Sequence, residues 1–187
     1  PLAGTSHFVI RDSYGNAMSI TTTIESGFGS RVMAGGFILN NELTDFAREP
    51  QSKDGRWVAN RVEGGKRPRS SMSPTIVMRR GEPMLLIGSP GGSRIPGYVA
   101  QALIGIIDLN MTPQEAVNMG HVVHRNSSSL DVESGTEAEA MASELALLGH
   151  KVKARKMTSG LHAIQINADG SLTGAADPRR EGTSRGN

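Results

Sequence analysis

Thr5 is the residue of this chain best equipped for covalent chemistry. It lies in Pro1-Leu2-Ala3-Gly4-Thr5-Ser6-His7-Phe8, where a Gly-Thr bond directly precedes a strand-like run. A cut between Gly4 and Thr5 would leave Thr5 with a free α-amine beside its own hydroxyl, putting nucleophile and base on one residue. The alternative is an ordinary threonine in a tail or first strand. A second cluster, Gly88-Ser89-Pro90-Gly91-Gly92-Ser93-Arg94, falls between a strand pattern and a helix pattern. The adjacent Gly91 and Gly92 let the backbone approach a ligand closely, and their N–H groups can converge on developing negative charge. A helix N-terminus behind them adds a favourable dipole. A tight strand-to-helix turn without function reads the same way. The G-x-x-x-x-G-K-[ST] and G-x-G-x-x-G spacings of phosphate cradles are absent.

The remaining polar clusters are of lower specificity. Ser70-Ser71-Met72-Ser73-Pro74 is rich in hydroxyls and suits either a bound carboxylate or a solvated turn. Glu25, Glu42 and Asp45 fall near strand ends; clustered they would suit a substrate ammonium, and scattered they are ordinary surface acids. His121 and His124 lack a third ligand at metal spacing, so no metal site is expected. There is no G-x-S-x-G elbow. The chain has no cysteine, which excludes disulfides, thiol catalysis and cysteine-ligated metal. Asn110-Met111-Thr112 and Asn126-Ser127-Ser128 fit the glycosylation pattern, which has meaning only in a eukaryotic secretory context.

Strands and helices must position these groups. Residues 6–12 and 17–24 alternate apolar with polar around the turn residues Ser13-Tyr14-Gly15-Asn16, which reads as a hairpin. A second hairpin is expected over 75–80 and 84–87, and residues 35–39 read as a short buried strand. Between them, 47–69 is a polar stretch without a period, a long loop of the kind that is usually functional or disordered. Residues 94–109 turn helical, with Ile95, Val99, Leu103, Ile106 and Ile107 on one face. Thr112-Pro113-Gln114-Glu115 is a helix start, and 137–148 a further helix capped by Gly149. Strands around Val152, over 161–167 and over 171–175 close the chain. Strands, then helices, then strands predict an α+β fold with antiparallel sheet.

Bulk composition narrows the partners. A length of 187 residues suits one domain. A hydrophobic fraction of 37% with 23 glycines suggests a chain that borrows core from a partner. The net charge of +2 and the lack of an aromatic-interleaved basic stripe argue against nucleic acid. The longest apolar run, 98–109, is too short for a membrane span. A chain opening Pro-Leu-Ala-Gly reads as a piece of something longer, with any targeting segment upstream.

Taken in order, these pieces resemble the small catalytic subunit of the γ-glutamyltranspeptidases. The resemblance runs through Gly4-Thr5-Ser6-His7-Phe8, Asp12-Ser13-Tyr14-Gly15-Asn16-Ala17 and Leu39-Asn40-Asn41-Glu42-Leu43-Thr44-Asp45-Phe46. It continues through Arg67-Pro68-Arg69-Ser70-Ser71-Met72-Ser73-Pro74-Thr75, Gly88-Ser89-Pro90-Gly91-Gly92-Ser93-Arg94 and Gly174-Ala175-Ala176-Asp177-Pro178-Arg179. It implies an N-terminal nucleophile hydrolase fold, part of a four-layer α/β/β/α sandwich, and a precursor that cuts itself into large and small subunits that stay together. Residues 1–4 would end the large subunit, and 5–187 would form the small one as a single domain.

The resemblance also implies roles. Thr5 is the nucleophile, Thr23 orients it, and the Gly91 and Gly92 amides hold the oxyanion. Ser70 and Ser71 contact the substrate α-carboxylate, while Glu42 and Asp45 hold its α-ammonium. Glu25 stands where well-known members carry asparagine, and makes a third acid there. No cofactor is implied. The partners are the large subunit, which supplies an arginine, a γ-glutamyl substrate, and water or an acceptor amine. The family points to a periplasmic or extracellular location, and some relatives carry a lid where 47–69 falls. The alternatives are a related acylase acting on glutaryl side chains or poly-γ-glutamate, and an inactive structural fragment.

Overall fold

The computed structural model describes residues 4–186. Pro1, Leu2 and Ala3, expected as the end of a larger subunit, lie outside the described residues. The described residues form two compact units, one of 4–5 with 22–71 and one of 6–21 with 72–186.

The second unit holds the core. Strands β1 (Thr5–Arg11) and β2 (Ala17–Thr23) pair with each other. Their turn is fixed by Asp12, whose Oδ1 accepts from the Tyr14 and Asn16 amides at 2.9 and 2.8 Å. In the first unit, β3 (Met33–Ala34) and β4 (Phe37–Ile38) make a minimal hairpin. Strands β5 (Thr75–Arg79) and β6 (Glu82–Gly88) follow in the second unit. Pro83 falls inside β6, at a register shift opposite Val77 and Met78. A bulge is where a residue without an N–H is tolerated in a ladder.

Helix α1 (Ile95–Ile107) carries proline in its first turn and buries Ile95, Tyr98, Val99, Ala102 and Ile106. Ile107, expected on that face, is instead exposed. Helix α2 (Pro113–Asn118) starts on the expected capping box: the Glu115 N–H donates to Thr112 Oγ1 at 3.3 Å, and the Thr112 N–H to Glu115 Oε2 at 2.8 Å. Strands β7 (Val122–His124) and β8 (Leu130–Glu133), not anticipated, join β9 (Val152–Arg155) in the order β7-β8-β9. The β8–β9 pair is parallel, unlike the β3–β4, β5–β6, β6–β10, β7–β8 and β10–β11 pairs. Two short helices, α3 (Glu137–Ala140) and α4 (Ala142–Leu147), replace the single helix expected over 137–148. The break at Met141 lets α3 pack on β8 and α4 on β9. Gly149 ends α4 as expected, with its N–H and that of His150 donating to the Ala146 and Leu145 carbonyls. Strands β10 (His162–Ile166) and β11 (Leu172–Ala176) complete a sheet of order β11-β10-β6-β5. Leu85, Ile87, Tyr98, Val117 and Leu161 pack between this sheet and the helices, each side chain fully buried. Such burial stabilises by about 1.5–3 kcal/mol per large apolar side chain. No helix among the described residues is long and apolar enough to cross a membrane.

The first unit is built differently. The buried strand expected over 35–39 is reduced to the two residues of β4 and is not buried. Gly35 and Gly36, at φ of 60° and 86°, form the turn between β3 and β4. Met33 and Phe37 are 69% and 63% exposed. Two successive glycines supply the left-handed pair that a two-residue hairpin needs, and that local demand overrides the apolar run. The 47–69 stretch is a loop, as expected, and it is cross-tied. Ala47 bridges Arg61, Gln51 bridges Trp57, and the Arg61 guanidinium lies 5.1 Å from the centre of the Trp57 ring.

A buried polar chain ties the closing segment to the second unit. Arg179 forks onto Glu133 at 2.6 and 2.8 Å and onto Asp177 at 3.1 Å. Asp177 Oδ2 accepts from Ser159 Oγ at 2.5 Å, and Ser159 Oγ meets His121 Nε2 at 2.6 Å. The hydroxyl's one proton goes to Asp177, so neutral His121 is protonated on Nε2. His7 of β1 is also buried, with Nδ1 2.8 Å from Thr21 Oγ1.

Burial pushes the pKa of both histidines down to about 4, assisted by His162 for His7 and by Arg179 for His121. Their folded values lie below the unfolded value of 6.5. Their contribution to stability is therefore present above that value and lost as pH falls toward 4. Urea unfolding at pH 7, 5.5 and 4.5 is expected to show stability declining, by on the order of 3 kcal/mol per histidine at most. A denaturation midpoint that stays constant over this range would refute the assignment.

Candidate active site

The Gly4–Thr5 bond is held by a compact hydrogen-bonded group in the first unit. Thr5 Oγ1 lies 2.9 Å from Thr23 Oγ1, and Thr23 Oγ1 donates to the Gly4 carbonyl at 3.1 Å. The Ile24 N–H donates to the same carbonyl at 2.9 Å. Thr23 has one hydroxyl proton, and it is committed to Gly4. The Thr5 hydroxyl is therefore the donor in the Thr5–Thr23 bond. The arrangement polarises the carbonyl carbon next to Thr5 while orienting the Thr5 oxygen. Gly4 is glycine for a steric reason: a Cβ there would stand 2.8 Å from the Glu25 carbonyl and 3.1 Å from Ile24 Cγ1.

The acids converge two residues further on. Glu25 adopts φ of 68°, a left-handed backbone that a side chain of its kind rarely takes. Its N–H donates to Thr23 Oγ1 at 2.8 Å. Glu42 and Asp45 sit on a single 3-10 turn, Glu42–Asp45. Asn41 ties this turn to the Glu25 segment. Its Oδ1 accepts the Ser26 N–H at 3.0 Å, and its Nδ2 donates to Ser26 Oγ and Thr44 Oγ1, both at 3.1 Å. Carboxylate oxygens of Glu25, Glu42 and Asp45 consequently lie within 4.8 Å of one another, close enough to share one cation. Burial and then the Asp45 charge raise the pKa of Glu25. Burial, then Glu25, then Asp45 raise that of Glu42. The Glu42 Oε2 atom is enclosed and accepts no hydrogen bond from the described residues.

Ser70, exposed, and Ser71, half-buried, belong to the same unit, next to Arg69, whose N–H is bonded to Asn60. Gly91 and Gly92 belong to the second unit. Gly91 has φ of 141°, and a Cβ there would stand 2.6 Å from Tyr98 Cε2. Gly92 opens a 3-10 turn, Gly92–Arg94, that runs into α1. Buried groups fix this turn at both ends. Ser89 Oγ accepts the Gly160 N–H at 3.1 Å. Arg94 reaches the buried Asp131 at 2.8 Å, beside Arg155 at 2.9 Å and Arg125 at 3.5 Å. Burial opposes the Asp131 charge, yet hydrogen bonds from Arg94 and Arg155 hold its pKa below the usual range. Backbone donors held this way need no reorganisation when charge develops against them.

The Gamma-glutamyltranspeptidase family profile matches residues 1–186. The chain belongs to the γ-glutamyltranspeptidase family. It is 37% identical over 182 residues to the glutathione hydrolase proenzyme of Escherichia coli strain K12, covering 94% of this chain and 31% of that one. It is 36% identical over 184 residues to the acylase ACY 1 proenzyme of Pseudomonas sp. strain SE83, covering 97% and 32%. The chain thus spans about a third of the length of the curated relatives it matches. A solved mutant of Helicobacter pylori γ-glutamyltranspeptidase superposes with a TM-score of 0.79 at 35% identity, covering 93% of this chain and 99% of that one. As a member of this family, the chain has the N-terminal nucleophile hydrolase fold, with mixed α and β elements and antiparallel sheets.

Residue types alone pointed to Thr5, the acids and the glycine pair. They did not point to the Ile24 N–H, to Asn41, to Asn60 or to Asp131. Asn40-Asn41 ahead of Glu42 is an Asx-type signal for a turn start and would have marked the first of the two asparagines.

Shared electrostatics among the acids has a direct readout. Replacing Glu25 by Gln removes a like charge from Glu42, so the Glu42 carboxyl is expected to titrate at lower pH. Carbon-13 NMR of the side-chain carboxyls measures this. An unmoved Glu42 titration would show that the two groups do not feel each other.

Proposed function

We propose that residues 5–187 are the nucleophile-bearing subunit of a γ-glutamyl hydrolase or transferase, freed from a longer precursor by cleavage between Gly4 and Thr5. One observation carries the reading: the Thr23 hydroxyl engages both the Thr5 oxygen and the Gly4 carbonyl, while Ile24 N–H engages that carbonyl too. The length ratios support it, since the chain matches nearly all of a solved γ-glutamyltranspeptidase chain but about a third of a curated proenzyme. In this reading residues 1–4 end the large subunit and 5–187 form the small one. The large subunit is the partner and contributes an arginine to the carboxylate clamp.

In the precursor, Thr5 Oγ attacks the Gly4 carbonyl carbon. The Ile24 N–H and the Thr23 hydroxyl stabilise the oxyanion, a service worth about 3 kcal/mol per donor in comparable sites. The Gly4–Thr5 C–N bond breaks, the nitrogen takes a proton, and an ester joins Gly4 to Thr5 Oγ. Water hydrolyses that ester, leaving a Gly4 carboxylate and a Thr5 bearing a free α-amine. In the mature protein the α-amine accepts the Thr5 hydroxyl proton, aided by a pKa of about 8. Thr5 Oγ attacks the γ-carbonyl of the substrate, and the Gly91 and Gly92 amides are assigned the oxyanion. The leaving amine departs protonated. The γ-glutamyl ester on Thr5 then passes its acyl group to water or to an acceptor amine. Glu25, Glu42 and Asp45 hold the α-ammonium, and Ser70 and Ser71 the α-carboxylate.

Acylase relatives favour a second reading, in which the acyl group is a dicarboxylic side chain without the α-amine. The three converging carboxylates weigh against it, because such a side chain brings no ammonium to offset their charge. Hydrolysis of γ-glutamyl and glutaryl p-nitroanilides is expected to favour the former, and a strong glutaryl preference would select the acylase.

Thr5→Ala in the full-length precursor is expected to abolish both cleavage and turnover, with residual activity at least about a thousandfold down. Intact-mass analysis together with an anilide assay checks it. A Thr5→Ala protein that still turns over substrate would falsify the proposal.

A further inference from the structure

Asn60 lies in the 47–69 loop and takes no part in the chemistry assigned above. Its side-chain amide is nevertheless used at both ends. Nδ2 donates to the Asp45 carbonyl at 2.7 Å, and Oδ1 accepts the Arg69 N–H at 2.9 Å. The Asn60 carbonyl accepts a third bond, from the Ala47 N–H at 2.9 Å. These bonds join segments 15 and 9 residues away along the chain. Asp45 carries one carboxylate of the acidic trio, and Arg69 immediately precedes Ser70 and Ser71.

We propose that Asn60 is a positioning residue that sets the spacing between the acidic arm and the hydroxyl arm of the substrate site. This rests on the substrate reading of the preceding subsection. A γ-glutamyl headgroup carries its ammonium and carboxylate on one carbon, so covalent geometry fixes their separation. Two protein arms that grip both groups must hold a matching separation, and here a single planar amide spans them. The remaining loop ties do not do this. The Asp54–Arg56 and Arg61–Glu63–Lys66 ion pairs stay within the loop and reach neither arm. An asparagine meets the demand because one side chain must donate to a carbonyl and accept from an amide. Aspartate has the right length but presents an acceptor to the Asp45 carbonyl.

The test uses the full-length precursor with Asn60→Ala, Asn60→Asp and, as a loop control, Ser52→Ala. Both Asn60 variants are expected to cleave themselves fully and to keep kcat within about threefold, while KM for γ-glutamyl p-nitroanilide rises about tenfold or more. Inhibition by L-glutamate, which needs both arms, is expected to weaken in step. Inhibition by glutarate, which lacks the ammonium, is expected to change far less. Ser52→Ala should leave every constant unchanged. An unchanged KM, a fall confined to kcat, or equal weakening of glutamate and glutarate overturns the positioning role. Hydrogen exchange supplies a readout independent of turnover. Peptides spanning residues 68–71 should exchange faster in Asn60→Ala, and unchanged exchange overturns the staple itself. If the wild-type protein cleaves itself but ignores γ-glutamyl anilide, the substrate reading fails and the positioning role with it, while exchange still decides whether the staple exists.

Discussion

One proton on Thr23 determines how the Gly4–Thr5 bond is prepared. Because it is committed to the Gly4 carbonyl, the Thr5 hydroxyl can bond Thr23 only by donating. A donating hydroxyl keeps its lone pairs for attack, and a carbonyl with two donors presents a more electrophilic carbon. Several otherwise unrelated features follow from keeping this group intact. Glu25 accepts a left-handed backbone and delivers its N–H to Thr23. Position 4 must be glycine, since a Cβ would collide with the Glu25 carbonyl. Strain of the Glu25 kind costs on the order of 1–3 kcal/mol and persists only where surrounding bonds over-determine the conformation.

The two units meet their demands by different means. The second has an apolar core beneath the β11-β10-β6-β5 sheet, with a hydrogen-bonded polar chain running from Glu133 through Arg179, Asp177 and Ser159 to His121. Among its described residues, the first unit buries no large apolar side chain. Its order comes from asparagines: Asn41 joins the two acid-bearing segments, and Asn60 joins Asp45 to Arg69. Low hydrophobic content, which pointed toward borrowed core, is concentrated in this unit, where Phe28, Met33, Phe37, Leu43 and Trp57 are all exposed.

Legibility in the sequence followed the range of the signal. Local signals read correctly: the Thr112 capping box, the Gly149 helix end, the Asp12 turn and the long loop over 47–69. Features set by distant partners did not. Strands β7 and β8 are short and β8 pairs with the distant β9, and the break at Met141 reflects packing on two different strands. Residues 35–39 misled because an apolar run cannot announce that its two glycines will form a turn. The candidate site divided the same way. Nucleophile, acids, serines and glycine pair were visible as residue types, whereas the Ile24 N–H is a backbone group without a sequence signature. Asn60 works through contacts 15 and 9 residues away, a distance at which sequence pattern is silent.

The acidic trio bears on substrate choice through charge alone. Glu25 and Glu42 have raised pKa values because burial and neighbouring carboxylates disfavour their ionised forms. A cation placed among them removes part of that penalty, so its binding and their ionisation favour each other. An acyl group bearing an α-ammonium would receive this attraction in full. A glutaryl group of the same length would receive none, and its terminal carboxylate would still have to find the hydroxyl arm next to a concentration of negative charge. In the proposed reading, three acids would do more than bind an ammonium; they would penalise its absence. Discrimination built this way needs no steric exclusion, and it survives only while Glu25, Glu42 and Asp45 are kept within one field by Asn41.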